Sequence, residues 1–478
     1  MRMILASTLI VSLATSLAQA APHRRGARHG SIHGRASRMA DGSPAPSEPK
    51  PTPEPAPAGS PEPAPAGLPE SPPESPAPTP EAPAPTPPTE GAAPAPAPTP
   101  APGVDGIQSA IPPSDITGAP PPAGSAPVLV NGFVSTAFTH AFGAKSRGLV
   151  PLRAFDIYAD SFSIDLAEIT AALNPAGPGA AGFKLRLGFG QRVPQGTAQL
   201  TAADAQSGKD ILGTIALPVL EAFASYVLPI GRGLRLDAGT FVTHHSLELI
   251  EGIGGFNDHY SKSFLFTYGP YNHTGLRASM ALSDSVAVTA MVHNGWQANH
   301  LDINDSKGVG VQLALTPDKV ASIYLNYMGS AEQPNNNRDW RHAFNLVAVL
   351  APHEKVTLSL DSAYYTEALN GATQHWGVIG GWLKLNLHES FTLAVRSDYF
   401  RDRKGLSGFG TTYGLGIAGG EAYEITVTPS LRLGEHFVLR ADLRLDQALG
   451  GFKPFSDAAG MATSSTQKTV GINFISYF

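Results

Sequence analysis

The residues in this chain best placed to act on solutes are charged side chains set two apart. In "HFVLRADLRLDQ", His436 to Gln447, the residues Arg440, Asp442, Arg444 and Asp446 alternate with Leu439, Ala441, Leu443 and Leu445. Period two puts the two sets on opposite faces of a β-strand. The pattern recurs with Lys184 and Arg186 in "FKLRLGFG", Arg235 and Asp237 in "GLRLDAGTF", Asp361 in "VTLSLDSAY", Arg396 and Asp398 in "FTLAVRSDYF", and Glu424 and Arg432 in "YEITVTPSLRL". Arg277 and Lys384 complete the set. Such charges break no bonds. Lining an aqueous passage, they set its ion preference and orient polar solutes; paired with one another, they fill the interior instead. Bases slightly outnumber acids in the set, a weak lean towards anions.

The rival chemistries are thinner. A lipid hydrolase needs a serine/histidine pair at a lipid boundary, and the adjacency of His245 and Ser246 does not supply it. His244, His245, His259 and Asp258 make a poor metal set, because adjacent histidines on a strand point to opposite faces. The "GRG" at 231–233 reads as a hairpin turn and lacks the strand-loop-helix setting of a phosphate cradle. No enzyme activity, metal or cofactor is expected.

The elements that must carry these charges begin at about residue 128 and run to residue 478. Apolar/polar alternation gives about 16 strands there. Short turns at 228–233, 283–285, 316–319, 351–355, 387–390 and 433–436 alternate with long connections at 192–216, 245–269, 298–306, 331–339, 402–420 and 449–466. That rhythm is expected of an up-and-down barrel with tight turns at one end. If Arg440 and Arg444 faced lipid at mid-strand, each would cost ~2–4 kcal/mol; in a wet lumen the cost is small. Closure also satisfies every backbone polar group without a free edge. The expected fold is all-β: a closed antiparallel transmembrane β-barrel of 128–478. A soluble sandwich gives no reason for the turn/loop asymmetry. Tyr271, Trp296, Tyr327, Trp340 and Tyr399 read as interfacial girdles. The connection 245–269 either folds inward as a constriction, with Glu248, Glu251 and Asp258 facing the wall bases, or forms an external cap.

Residues 1–20 have the pattern of a signal peptide: Arg2, an apolar stretch, then Ala18-Gln19-Ala20, with cleavage expected between Ala20 and Ala21. Residues 21–40 form a basic His/Arg-rich leader. Residues 41–127 are a Pro/Ala-rich linker, expected to be disordered and extended, reaching on the order of 250 Å at ~3.1 Å per residue. An even strand count puts both barrel ends on the short-turn side, so this arm is expected in the periplasm, with peptidoglycan or another envelope polymer as candidate partner. The net charge of −6 gives no sign of nucleic-acid binding, and the lack of cysteine excludes disulfides.

The last residues, "KTVGINFISYF", place Val470, Ile472, Phe474 and Phe478 on one side. This resembles the terminal strand by which outer-membrane barrels are recognised by the barrel-assembly machinery, with Phe474 and Phe478 as the signal and Ser476 as a departure. "FDIYADSFSIDLAEIT" (155–170), "GFKLRLGFG" (182–190), "ASYVLPIGRGLRLDAGTFVTHHSLELIE" (224–251), "YSKSFLF" (260–266), "HTGLRASMALSDSVAVTAMVHNGW" (273–296) and "DINDSKGVGVQLALTPDKVASIYLNYMG" (302–329) resemble the OmpL-like β-barrel porins of Gram-negative bacteria. Where that family tends to read Thr-Pro-x-Gly-x-Glu, this chain keeps Thr243 and Glu248 but has His244 and Ser246 at the proline and glycine positions. The resemblance implies an outer-membrane porin surrounded by lipid, a passive diffusion channel for small hydrophilic solutes or ions. The alternative is a non-conducting structural barrel that anchors the envelope through its Pro-rich arm.

Overall fold

The structure is a computed structural model. It describes residues 127–143, 150–153, 155–190, 219–250, 257–296, 302, 304–369, 371–405, 419–457 and 461–478. The expected signal peptide, basic leader and Pro-rich linker lie outside the described residues.

Sixteen strands close into one antiparallel barrel. In chain order the strands are β1 (Leu129–Phe142), β2 (Ser161–Leu173), β3 (Ala181–Phe189), β4 (Val219–Leu228), β5 (Leu234–Val242), β6 (Asn272–Ala281), β7 (Val286–His293) and β8 (Gly308–Leu315). They continue with β9 (Ala321–Gln333), β10 (Asn336–His353), β11 (Val356–Leu369), β12 (Ala372–His388), β13 (Phe391–Asp402), β14 (Gly420–Arg432) and β15 (Phe437–Ala448). Two short strands, β16 (Phe455–Ser456) and β17 (Ala462–Ser464), form a separate hairpin before β18 (Thr466–Tyr477). Strand β18 pairs with both β15 and β1, and so closes the ring. At that seam Phe478 N donates to Gly132 O at 3.0 Å. A Cβ on Gly132 would sit 2.8 Å from the backbone oxygen of Glu168 and 2.9 Å from the Phe478 ring, so a side chain there would crowd the seam.

The period-two pattern resolves as an inside-out barrel. Leu276 and Leu443 are 64% and 51% exposed on the outer wall, whereas Arg440 is 2% exposed inside. An apolar outer band and a polar interior are what lipid on one side and no lipid on the other demand. Among the described residues no helix is long and apolar enough to cross a membrane.

Three expectations need correction. The connection 331–339 is not long: Gln333 pairs with Asn336 across a tight turn. Pro334 followed by Asn335 at φ 56° is the residue pair that a type II turn favours. Strand β10 consequently runs to 18 residues. Second, Tyr271 and Trp296 are buried in the interior and are not girdle residues; each lies just outside a strand, where strict alternation no longer applies. Third, adjacent His244 and His245 do not diverge. Strand β5 ends at Val242, and their rings pack 4.7 Å apart.

Candidate functional site

The long connection between β5 and β6 folds into the barrel. Its two feet are tied where Thr243 N donates to Tyr271 O at 2.8 Å. From there it crosses the full width, because β13 lies eight strands from β5 in either direction round the ring. His244 Nε2 contacts Tyr327 O at 3.0 Å, Ser246 N donates to Asn345 Oδ1 at 3.3 Å, and Leu247 N donates to Asp361 Oδ2 at 2.6 Å. Glu248 then reaches Arg396 on β13 at 2.7 Å. Ser246 takes φ 78°, the conformation a glycine would adopt freely. The loop therefore turns there without the glycine of the family pattern.

The returning limb is held as tightly. Asp258 pairs with Lys384 at 2.7 Å. Tyr260 N and Ser261 N both donate to Asp442, at 3.1 and 2.7 Å. A single helical turn, α1 (Phe264–Tyr268), follows; Ser263 caps it, its Oγ accepting from Phe266 N at 3.0 Å. The free N–H groups of that first turn need acceptors inside the protein. Asp398 supplies one, accepting from Phe264 N at 2.6 Å, and Glu248 accepts from Ser263 N at 2.8 Å. The arginines take the complementary part and donate to loop carbonyls: Arg396 to Ser261 O at 2.8 Å, Arg444 to Lys262 O at 2.5 Å, and Arg440 to Asn257 O. Behind them Glu424 and Asp446 balance the charge, at 2.6 Å from Arg396 and 2.7 Å from Arg444.

The wall charges read from the strand pattern thus fall into groups. Asp361, Lys384, Arg396, Asp398, Arg440, Asp442 and Arg444 grip the loop, with Glu424 and Asp446 behind. Two clusters lie on β2 to β6: Lys184 and Arg186 with Glu168 and Glu221, where Arg186 lies 2.7 Å from Glu168 and 2.9 Å from Glu221, and Arg235 and Arg277 with Asp237, where Arg277 lies 2.7 Å from Asp237. Arg432 stands exposed at the short-turn end of β14. Glu251 lies outside the described residues. Lys184, Arg235 and Lys384 keep 24%, 20% and 21% of their side-chain surface in contact with solvent, and Asp258 keeps 32%.

Several partners escaped the strand reading. Glu168 and Glu221 sit on the inward alternation of β2 and β4, a signal present in the sequence. Residues 150–153 and 155–157 also turn inward, which no period announces. There Arg153 bonds Asp446 at 2.8 Å, Thr469 at 3.1 Å and Asp156, while the ring of Phe155 lies 5.3 Å from both Phe266 and Tyr271. The two inward segments therefore share one aromatic core. With Asp156, Glu168, Glu221, Glu367 and Asp402 added to the buried set, the small excess of bases behind the anion lean disappears. Among the described residues no three His, Asp or Glu side chains converge to hold a metal ion.

A closed sixteen-stranded barrel with an apolar exterior, a charged interior and a connection laid across its bore defines a porin-type outer-membrane protein. The chain belongs to the family described as "Putative beta-barrel porin-2, OmpL-like", whose model matches residues 127–478. Among solved structures it is similar to an anion-selective porin from Comamonas acidovorans, with 12% identity, 74% of this chain and 99% of that chain covered, and a TM-score of 0.49. It is similar also to the outer-membrane channel DcaP of Acinetobacter baumannii (10% identity, 76% and 99% covered, TM-score 0.47) and to OmpF of Salmonella typhi (12%, 73% and 97%, 0.45). A search of curated proteins found no match.

Proposed function

We propose that this porin passes small hydrophilic solutes or ions by diffusion, with residues 243–250 and 257–271 as the constriction and the water-touched charges as its filter. The observation that supports this reading is the loop's path across the bore, fixed by Glu248 on Arg396 and Asp258 on Lys384. A connection laid across the bore directs passage beside it. Lys184, Arg235, Lys384 and Asp258 are the charges that passing water and ions meet there. Transport then needs no bond chemistry: the passage replaces the desolvation barrier of the bilayer, and fixed charges bias entry. Planar-bilayer recordings test this. Lys184→Glu with Arg235→Glu is expected to move the reversal potential in asymmetric salt towards cation preference; discrete steps with an unchanged potential would remove these two residues from the filter. Absence of steps from folded protein would remove the channel itself.

One feature favours the second reading, a non-conducting barrel. Arg396, Arg440 and Arg444 are buried and each donates to a loop carbonyl, which turns them away from a passing ion. In either reading the mature chain starts at Ala21, and the Pro-rich arm extends into the periplasm towards peptidoglycan or a similar polymer. Phe474 and Phe478 serve the barrel-assembly machinery. The barrel ends fit that arrangement, since β1 begins and β18 finishes on the short-turn side.

A further inference from the structure

The loop that crosses the bore carries three buried histidines; His244 Nε2 meets Tyr327 O at 3.0 Å and His259 Nδ1 meets Thr428 Oγ1 at 2.7 Å. His244 and His245 stand at its root and His259 on its returning limb. At the root, His244 and His245 pack together at 4.7 Å, His244 lies 6.3 Å from His273, and His273 lies 4.6 Å from His293. Four imidazoles share one buried site. Room for it comes from β8: a Cβ on Gly310 would sit 2.8 Å from His244 Cε1, and one on Gly308 would sit 2.4 Å from His293 Cε1. His244 Nδ1, both nitrogens of His245 and Nε2 of His259 find no hydrogen-bond partner among the described residues. A proton on any of these nitrogens would have no acceptor waiting for it.

We propose that protons release this loop: protonation of His244, His245 and His259 in mildly acidic medium expels its two described limbs, 243–250 and 257–263, from the wall and widens the passage. The inference rests on the loop being the constriction. The charged surroundings at the root work against a proton. Arg277 on β6 and the other three imidazoles face His244, and the groups that act on His245 are His244 and His293. Asp302 acts on His293, not on the loop histidines. Round His259 the field is mixed, with Arg396 opposing a proton and Asp442, Asp258 and Glu248 favouring one. Burial is the dominant cause in all three cases. It holds His244 and His259 down at about 4 and His245 well below the ordinary value.

The sign follows from linkage. A histidine whose pKa is depressed in the inward state binds its proton more readily in the released state, where it regains about 6.5. The inward state is therefore at full strength above about pH 6.5 and weakens as pH falls towards 4. At pH 5 each ring that recovers from about 4 to about 6.5 favours release roughly thirty-fold.

Hydrogen exchange on the full chain in detergent micelles tests the idea. Peptides covering 243–263 should exchange at least about thirty-fold faster at pH 5 than at pH 7.5, after correction for the intrinsic pH dependence, while strand peptides hold. The variant His244→Gln, His245→Gln, His259→Gln should lose that difference. Equal protection of the wild-type loop at both pH values, or a variant that keeps the wild-type response, would overturn the proposal. Should the variant fail to fold, histidine-selective NMR of the wild type decides. Rings that titrate together with loop release support the proposal, and rings that stay neutral at pH 5 in an ordered loop end it. Exchange reads the loop itself. A protein that never conducts but still frees its loop would sink the channel reading and leave proton release standing.

Discussion

At the scale of single residues, Arg396 is the hub of the interior. It bonds Glu248 at 2.7 Å from the loop and Glu424 at 2.6 Å from the neighbouring strand. Deleting a buried cation leaves its carboxylates uncompensated, which costs more than the pair contributed. Arg396→Met is therefore expected to lower stability by ~3–5 kcal/mol, read from the urea midpoint of the micelle-embedded protein. Arg432→Ala, on an exposed rim position, should stay within about 0.5 kcal/mol. Equal losses for the two would show that Arg396 does not hold the loop. The strand pattern placed both arginines on one inward face. Depth separates them, since Arg432 is the last residue of β14 and Arg396 is mid-strand in β13, and the loop reaches Arg396 by a path that no residue of the strand encodes.

At the scale of elements, the β5–β6 connection decides what kind of barrel this is. Alternation along β13 and β15 made the inward charges legible, because each strand carries its own record of which face is apolar. The connection has no such period. Its course depends on backbone N–H groups of Leu247, Tyr260, Ser261 and Phe264 meeting Asp361, Asp442 and Asp398 from strands more than a hundred residues away. A carboxylate facing a lumen and a carboxylate facing a loop look alike in sequence. The same reason hid Arg153 and Phe155, whose partners on β15, β18 and the loop are distant in sequence. Replacing 245–269 with a short Gly/Ser tether is expected to leave the barrel heat-modifiable on gels and to enlarge single-channel conductance. Loss of the barrel would mean that the loop is structural core and not a constriction.

At the scale of the whole molecule, one division of surfaces governs the rest. A water-soluble β-protein buries its leucines; here Leu276, Leu443 and Phe162 lie outside, while Arg396, Asp361 and Glu424 lie inside at no exposure. In lipid that arrangement gives the apolar side chains their preferred medium and leaves the charges to pair within the protein. The fold was readable because strand count, turn asymmetry and face polarity agree with one another. Occupancy of the bore was not, because a wall pattern is the same whether water or a loop fills the space. The chain has no native cysteine, so a single-cysteine scan is clean. The most direct measurement places a nitroxide at each position from Phe437 to Gln447 in reconstituted bilayers and reads collision with dissolved oxygen, which concentrates in acyl chains. Accessibility should rise and fall with period two, high at Leu439, Leu443 and Leu445 and low at Arg440, Asp442 and Arg444. A flat profile, or one with the arginine positions high, would contradict the inside-out barrel.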